Sequence, residues 1–205
     1  MSRRAADTVI ESGRVKINGI IPSTGQDISD SDVVLFDGEP ITANVKLTTL
    51  VLNKPTGYVC SRDGQGSKTV YELIPPEYTH LKPIGRLDKN SCGLLLMTND
   101  GKLAQQLTHP SYEKSKVYQV TLDKPLNTSD AVAIQQGIIL EDGKSALGLE
   151  GSGTQWVVTM KEGRNRQIRR TFEKLGYEVI GLNRTQFGQY KLANLHTGNY
   201  QEIIV

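Results

Sequence analysis

The apolar run Leu94-Leu95-Leu96-Met97 constrains this chain more than any other stretch. A short run of large apolar side chains, bounded by Gly93 on one side and by Asn99 and Asp100 on the other, reads as a buried strand. Asn99 or Asp100 then caps a helix that carries Leu103 and Leu107 four residues apart. The run is preceded by Gly85-Arg86-Leu87-Asp88, so Asp88 sits in a loop feeding a rigid core element. Charged loop residues fixed against a scaffold are frequent sites of chemistry. Taken alone, Asp88 reads more simply as a turn cap or a partner of Arg86, because most acidic residues are solvated or structural.

A length of 205 residues suffices for a large domain plus a small one. Residues 1–44 form the small unit. A helix is expected over residues 3–12, with Ser2 as its cap, Ala6, Val9 and Ile10 on one side, and Gly13 at its end. Arg14–Gly19 reads as a short strand closing in an Asn18-Gly19 turn, and Asp32–Ile41 as another strand and turn. Such a unit, of about 40 residues, is too small for a generous core. Glu39–Lys46 reads as the linker, and residues 45–205 form the second domain.

That domain opens with a strand at Thr49–Pro55, where Pro55 and Gly57 force a turn. Lys116–Leu122 alternates, with Tyr118, Val120 and Leu122 on one face. Thr128 or Ser129 starts a helix that Gly137 ends. Gly137–Gly143 and Ser145–Glu150 read as two strands joined by an Asp142-Gly143 turn. A strand at Thr154–Met160 precedes a helix at Asn165–Gly176 with Ile168, Phe172 and Leu175 on its core stripe. Tyr177–Gly188 and Tyr200–Val205 close the sheet. The expected class is α+β, on a mostly antiparallel mixed sheet.

Several function classes are excluded. No apolar run approaches the roughly 18 residues that span a bilayer, and the first residues lack the apolar segment of a signal peptide. A cytoplasmic protein without membrane contact is expected. Cys60 and Cys92 have no metal or redox spacing, and His80, His109 and His196 are scattered. No metal is expected, and a zinc deaminase is excluded because its ligand set is absent. Asp63–Thr69 (DGQGSKT) lacks the spacing of a phosphate loop. Net charge is only +2, but basic charge is concentrated near the C-terminal end, with eight basic and three acidic residues between Lys161 and Lys191. That distribution suits phosphates.

The stretch Glu162–Arg170 (EGRNRQIRR) holds four arginines within seven residues. If Ile168 faces the core, Arg169 lies about 100° round from it at the edge of the buried face. Arg166 and Arg170, four apart, then share the exposed side. A solvated basic face is the simpler reading of this stretch alone. Tyr118 reads as a core tyrosine or as a platform for a base. Lys54 reads as a phosphate anchor or as a lysine at a strand end.

Taken together, these motifs resemble a known family. GRLDKNSCGLLLMTND closely resembles the active-site motif of the RsuA-type pseudouridine synthases, which modify bacterial ribosomal RNA. LNKPTGYVCS before it, and HPSYEKSKVYQV and EGRNRQIRRTFEKLGYEVIGLNRTQFG after it, fall in the family's order, and the resemblance covers residues 49–205. SRRAADTVIESGRVKING resembles the RNA-binding domain named after ribosomal protein S four, and a shortened form without that domain's first helix is expected. Cys92, Asn183 and Gln186 depart from the family pattern.

The resemblance implies isomerisation of uridine to pseudouridine without a cofactor. Asp88 would be the essential carboxylate, as a nucleophile on the sugar or as a base leading to a glycal. Tyr118 would stack on the uracil and Ile168 pack on its other side. Arg169 would pair with Asp88, and Arg86 would fill the gap left by the flipped uridine. Apart from the resemblance, Lys54, Arg166, Arg170 and Arg184 are expected to contact RNA. The implied partner is large-subunit (23S) or small-subunit (16S) ribosomal RNA, or a pre-ribosomal particle, and the implied state is a monomer. A non-catalytic RNA-binding protein and a ribose-attacking hydrolase are the alternatives; the three readings differ in product, which would be pseudouridine, nothing, or free uracil.

Overall fold

The computed structural model describes residues 3–29, 31–41 and 46–204. The expected cap Ser2 and the linker residues 42–45 lie outside that set. The chain divides into two compact units, Met1–Lys46 and Leu47–Val205.

In the first unit, α1 (Arg3–Glu11) ends at Gly13, whose φ of 73° supplies the left-handed turn that a helix C-terminus favours. β1 (Val15–Ile17) pairs antiparallel with β2 (Val34–Phe36), and β2 with β3 (Glu39–Pro40). The Asn18 side chain ties the first turn down, donating to Asp32 at 2.8 Å and accepting from the Val33 amide at 3.0 Å. Ile17 is the one buried large apolar residue among the described residues of this unit, whereas Ile20, Ile21, Ile28, Val33 and Ile41 are exposed.

The second unit is α+β. In chain order it contains β4 (Thr49–Lys54), β5 (Lys82–Ile84), β6 (Cys92–Thr98), α2 (Gly101–Thr108), β7 (Lys116–Leu122), α3 (Thr128–Gln136), β8 (Ile138–Leu140) and β9 (Gly143–Ser145). β10 (Gly148–Ser152), β11 (Gln155–Met160), α4 (Gln167–Glu173), β12 (Val179–Phe187), β13 (Tyr190–Lys191) and β14 (Tyr200–Ile203) follow. The main sheet has the order β10-β11-β7-β12-β6-β4-β14, with β5 beside β6 and β13 beside β12. Its pairings are antiparallel except β12 with β6.

The apolar run lies at the centre of this sheet and is covered on both faces. Leu94 and Leu96 pack with Val51, Ile84, Leu103 and Phe187. Leu95 and Met97 pack with Leu50, Leu52, Val120 and Phe172. Successive strand side chains point to opposite faces, so one apolar run serves two cores. The Asp100 carboxylate caps α2, accepting from the amides of Lys102 at 2.8 Å and Leu103 at 3.1 Å.

Three expectations differ. The stretch Glu39–Lys46, expected as a linker, begins with β3, and the division between the units falls after Lys46 rather than after residue 44. The partner of β8 is β9, not the stretch Ser145–Glu150, which is divided between the end of β9 and the start of β10. α4 begins at Gln167 rather than Asn165, because Arg166 has a left-handed φ of 47° that a helix interior excludes. Its end matches the expectation at Gly176. The amides of Gly176 and Tyr177 bond back to the carbonyls of Glu173 and Phe172, a Schellman-type closure that needs a residue of positive φ. Among the described residues no helix is long and apolar enough to cross a membrane.

Candidate active site

The site forms where the sheet forks. One edge of β6 is shared by two strands: Cys92 and Gly93 pair with β12, while Leu96 to Thr98 pair with β5. The loop that leaves β5 at Gly85 carries Asp88 across the opening. Gly93 lets β12 come this close, since a Cβ there would lie 2.3 Å from the Arg184 carbonyl oxygen. At the fork the Leu94 carbonyl accepts from Arg184 Nε at 2.8 Å, so a side chain replaces the missing strand partner. A cavity of about 310 Å³ opens beside it.

One wall of the cavity is the Asp88 loop. Lys54, the last residue of β4, is fully buried beneath it. Its ammonium donates to the carbonyls of Ser91 at 2.7 Å, Pro55 at 3.0 Å and Asp88 at 3.1 Å. Burial pushes the Lys54 pKa down, opposed in part by Asp88 and the two cysteine sulfurs. Cys60 adds a second hold, its Sγ lying 3.4 Å from both the amide nitrogen and the carbonyl oxygen of Leu87. The Asp88 backbone is thus gripped from the core. Among the described residues its carboxylate makes no hydrogen bond or ion pair, and it is half-buried at the cavity surface.

The facing wall is the turn and helix from Gly163 to Arg169. Ile168 is buried and lines the cavity. Arg169 Nη2 donates to the Asn90 carbonyl at 2.8 Å and Nη1 to the Val179 carbonyl, which ties α4 to the Asp88 loop and to β12. Burial and the neighbouring Arg166 push the Arg169 pKa down, while Asp88 opposes the shift. The wall is anchored from outside by Asp142, in the turn between β8 and β9. Asp142 accepts from Arg164 at 2.8 Å and from Arg170 at 2.6 Å, and Arg164 also donates to the carbonyls of Asp142, Gly143 and Lys144. Beneath it the buried Gln167 side chain bonds Glu162 and Ser145, and Ser145 bonds Thr171 at 2.8 Å.

The floor comes from β7 and β12, where Tyr118 and Arg184 are register partners. Tyr118 is buried and lines the cavity. The guanidinium of Arg184 lies 5.0 Å from the centre of the Phe187 ring and the ammonium of Lys116 5.2 Å from it. Burial and Arg184 push the Lys116 pKa down.

The structure therefore brings Asp88, Tyr118, Ile168, Arg169, Arg86, Arg166 and Arg184 around one cavity. Three expectations need correction. Arg169 and Asp88 are not an ion pair; Arg169 spends its two terminal nitrogens on backbone carbonyls, one of them in the Asp88 loop. Lys54 is sealed in the core and cannot meet a phosphate. Arg170 is committed to Asp142, and Arg166 precedes α4 instead of sharing a helix face with it. Sequence reasoning missed Lys116 and Asp142. Lys116 stood only as the first residue of a strand, and Asp142 only as part of a turn.

The cavity is lined by six basic side chains and one carboxylate, Asp88. It can accept an apolar ring between Tyr118 and Ile168 and hold anionic groups around it. Among the described residues no group of three or more His, Cys, Asp or Glu side chains could hold a metal ion.

The sequence matches the family model for RNA pseudouridylate synthase over residues 48–174. It is 37% identical to the ribosomal large subunit pseudouridine synthase B of Bacillus subtilis (strain 168), over 98% of this chain and 86% of that one. It is 36% identical to an uncharacterized RNA pseudouridine synthase of Aquifex aeolicus (strain VF5), over 98% and 85% of the two chains. A solved pseudouridylate synthase superposes with a TM-score of 0.75 at 34% identity, covering all of this chain and 91% of the other.

Proposed function

The chain belongs to the RNA pseudouridylate synthase family, and from that premise we propose that it isomerises a uridine of ribosomal RNA with Asp88 as the essential carboxylate. The observation that carries this reading is the free carboxylate of Asp88 at the wall of a cavity that also presents Tyr118, Ile168 and Arg169. The target uridine leaves its stack and enters between Tyr118 and Ile168, while Arg86, exposed at the cavity, occupies the space it vacates. Asp88 attacks C1′ of the sugar or removes a sugar proton on the way to a glycal. In either case the bond from C1′ to N1 breaks, the uracil turns, C5 joins C1′, and the C5 proton is lost as N1 gains one. No atom is gained or lost and no redox partner is needed.

Arg169 acts through position: it holds the Asp88 loop through Asn90 and sets a positive charge near the carboxylate. Arg166 meets the phosphates of the bound strand, and the first unit adds RNA affinity. The relatives named for the large ribosomal subunit make that RNA the first substrate to test, with small-subunit RNA and pre-ribosomal particles beside it. We place the protein in the cytoplasm as a monomer.

Asp88→Asn keeps the side chain's size and removes its charge. It should abolish pseudouridine formation in ribosomal RNA while RNA binding and the unfolding midpoint stay near wild type. Residual activity within about tenfold of wild type would remove Asp88 from the mechanism. Release of free uracil by the wild type would instead identify a hydrolase. Mapping pseudouridines in RNA from cells with and without the gene identifies the target.

A further inference from the structure

Among the described residues Arg184 is the most buried charged side chain after Lys54, and none of them neutralises it. It is 2% exposed, and among the described residues it makes no ion pair. Nε is satisfied by Leu94, but Nη2 is buried without any hydrogen-bond partner and the residue lines the cavity. A second cation, Lys116, shares the Phe187 ring with it and lines the same cavity. The Lys116 ammonium has only long bonds, at 3.3 and 3.4 Å, to the carbonyls of Lys161 and Glu162. A buried cation beside a half-buried one, neither with an ion-pair partner among the described residues, is unfavourable in the free protein. Lys54 shows the contrast, since its buried charge is fully occupied by carbonyls.

We propose that Arg184, assisted by Lys116, binds a carbonyl oxygen of the flipped uracil and stabilises the negative charge that the base acquires when it leaves the sugar. The inference rests on the isomerase reading above and adds a catalytic residue to it. The phosphates of a bound strand stay at the cavity mouth, where Arg166 is exposed. What reaches a residue as deep as Arg184 is the base. When the C1′–N1 bond breaks, its electron pair stays with the uracil and spreads from N1 onto O2 and O4. The sugar carbon is satisfied by a new bond to an Asp88 oxygen, or by loss of a sugar proton to Asp88. The two routes differ at the sugar and share the same anionic uracil, so Arg184 serves both. C5 then bonds to C1′, its proton is released, and N1 takes one up. A preorganised donor in a water-poor site is most effective where charge develops in the transition state.

The test compares single-turnover consumption of uridine and of 5-fluorouridine at the target position of a ribosomal RNA fragment. Fluorine withdraws electrons and stabilises the uracil anion by itself. Arg184→Gln should slow uridine consumption by about a hundredfold, the usual effect of losing one such donor. It should slow 5-fluorouridine consumption clearly less, with RNA affinity near wild type. Its unfolding midpoint should not fall much, because an unpaired buried charge is removed. Lys116→Gln, which leaves the Leu94 contact intact, should give the same selectivity with smaller losses and covers the case in which Arg184→Gln does not fold. Equal losses on the two RNAs would overturn the proposal, as would loss of RNA affinity in step with activity, which would make these residues phosphate contacts. A wild type that forms no pseudouridine would sink the isomerase reading and this inference together, whereas an active wild type with unselective variants sinks only the inference.

Discussion

The two walls of the cavity are built in opposite ways. The Asp88 wall is held from within the core, by a fully buried ammonium on three carbonyls and a thiol against Leu87. The Arg169 wall has neutral buried ties, Gln167 and Thr171 to Ser145, but its charged anchors lie at the surface, where Arg164 and Arg170 bond the exposed Asp142. The comparison teaches where precision is demanded. A carboxylate that meets the sugar must be fixed by groups that salt and water do not reach. A basic turn that receives a flexible strand tolerates anchors that can loosen.

The largest effect should come from breaking the inner anchor. Lys54→Met leaves three carbonyls without their charged donor, at about 1 kcal/mol or more each, so unfolding in urea should reveal a loss of about 3 kcal/mol. Turnover should collapse with it, and a stable, active Lys54→Met would erase the contrast between the walls.

Next in size is Arg169→Lys. A single ammonium cannot span the Asn90 and Val179 carbonyls as the planar fork does. Turnover should drop by up to about a hundredfold, the scale of a misplaced reacting group, while RNA affinity changes little. A change confined to affinity would move Arg169 from positioning to binding.

Asp142→Asn tests the outer anchor and should act more mildly. KM should rise more than kcat falls, and the difference from wild type should shrink at high salt, because exposed ion pairs are screened. The pH dependence has a definite sign. Arg170, and less strongly Arg164, hold the Asp142 carboxyl below its ordinary range. Its contribution to stability is therefore present above the unfolded value of about 3.9 and lost as pH falls through the lower folded value. The gap in unfolding midpoint between wild type and Asp142→Asn should close in acid. A gap that persists there assigns the effect to shape instead of charge.

The smallest effect separates two arginines of the outer wall. Arg166→Ala should lower the slope of log affinity against log salt by about 0.7–0.9, one phosphate contact. Arg170→Ala should leave the slope nearly unchanged, since Arg170 already has its partner in Asp142. Equal slopes for the two variants would return Arg166 to the solvated surface.

Much of this was legible in the sequence because it depends on local physics. Leu94–Met97 read as a buried strand, Asn99 or Asp100 as the cap of the helix that follows, and Gly176 as the end of α4. The order of four motifs identified the family. The local pattern misled where a single backbone angle intervened: the left-handed Arg166 shortened α4 and took Arg166 and Arg170 off a common face.

What the sequence by itself determined is the set of elements and the residue types at the site, because periodicity, caps and turn glycines act over a few residues. Only the tertiary structure decided which charges meet. Lys54 and Arg184 look alike in sequence, each a basic residue within an expected strand. One is saturated by three carbonyls, and the other keeps an unpartnered nitrogen at the cavity. That difference arises at the fork of β6, where β5 and β12 part and leave the Leu94 carbonyl to Arg184. Burial and hydrogen bonding are settled by strands that lie far apart in the chain, and no local pattern records them.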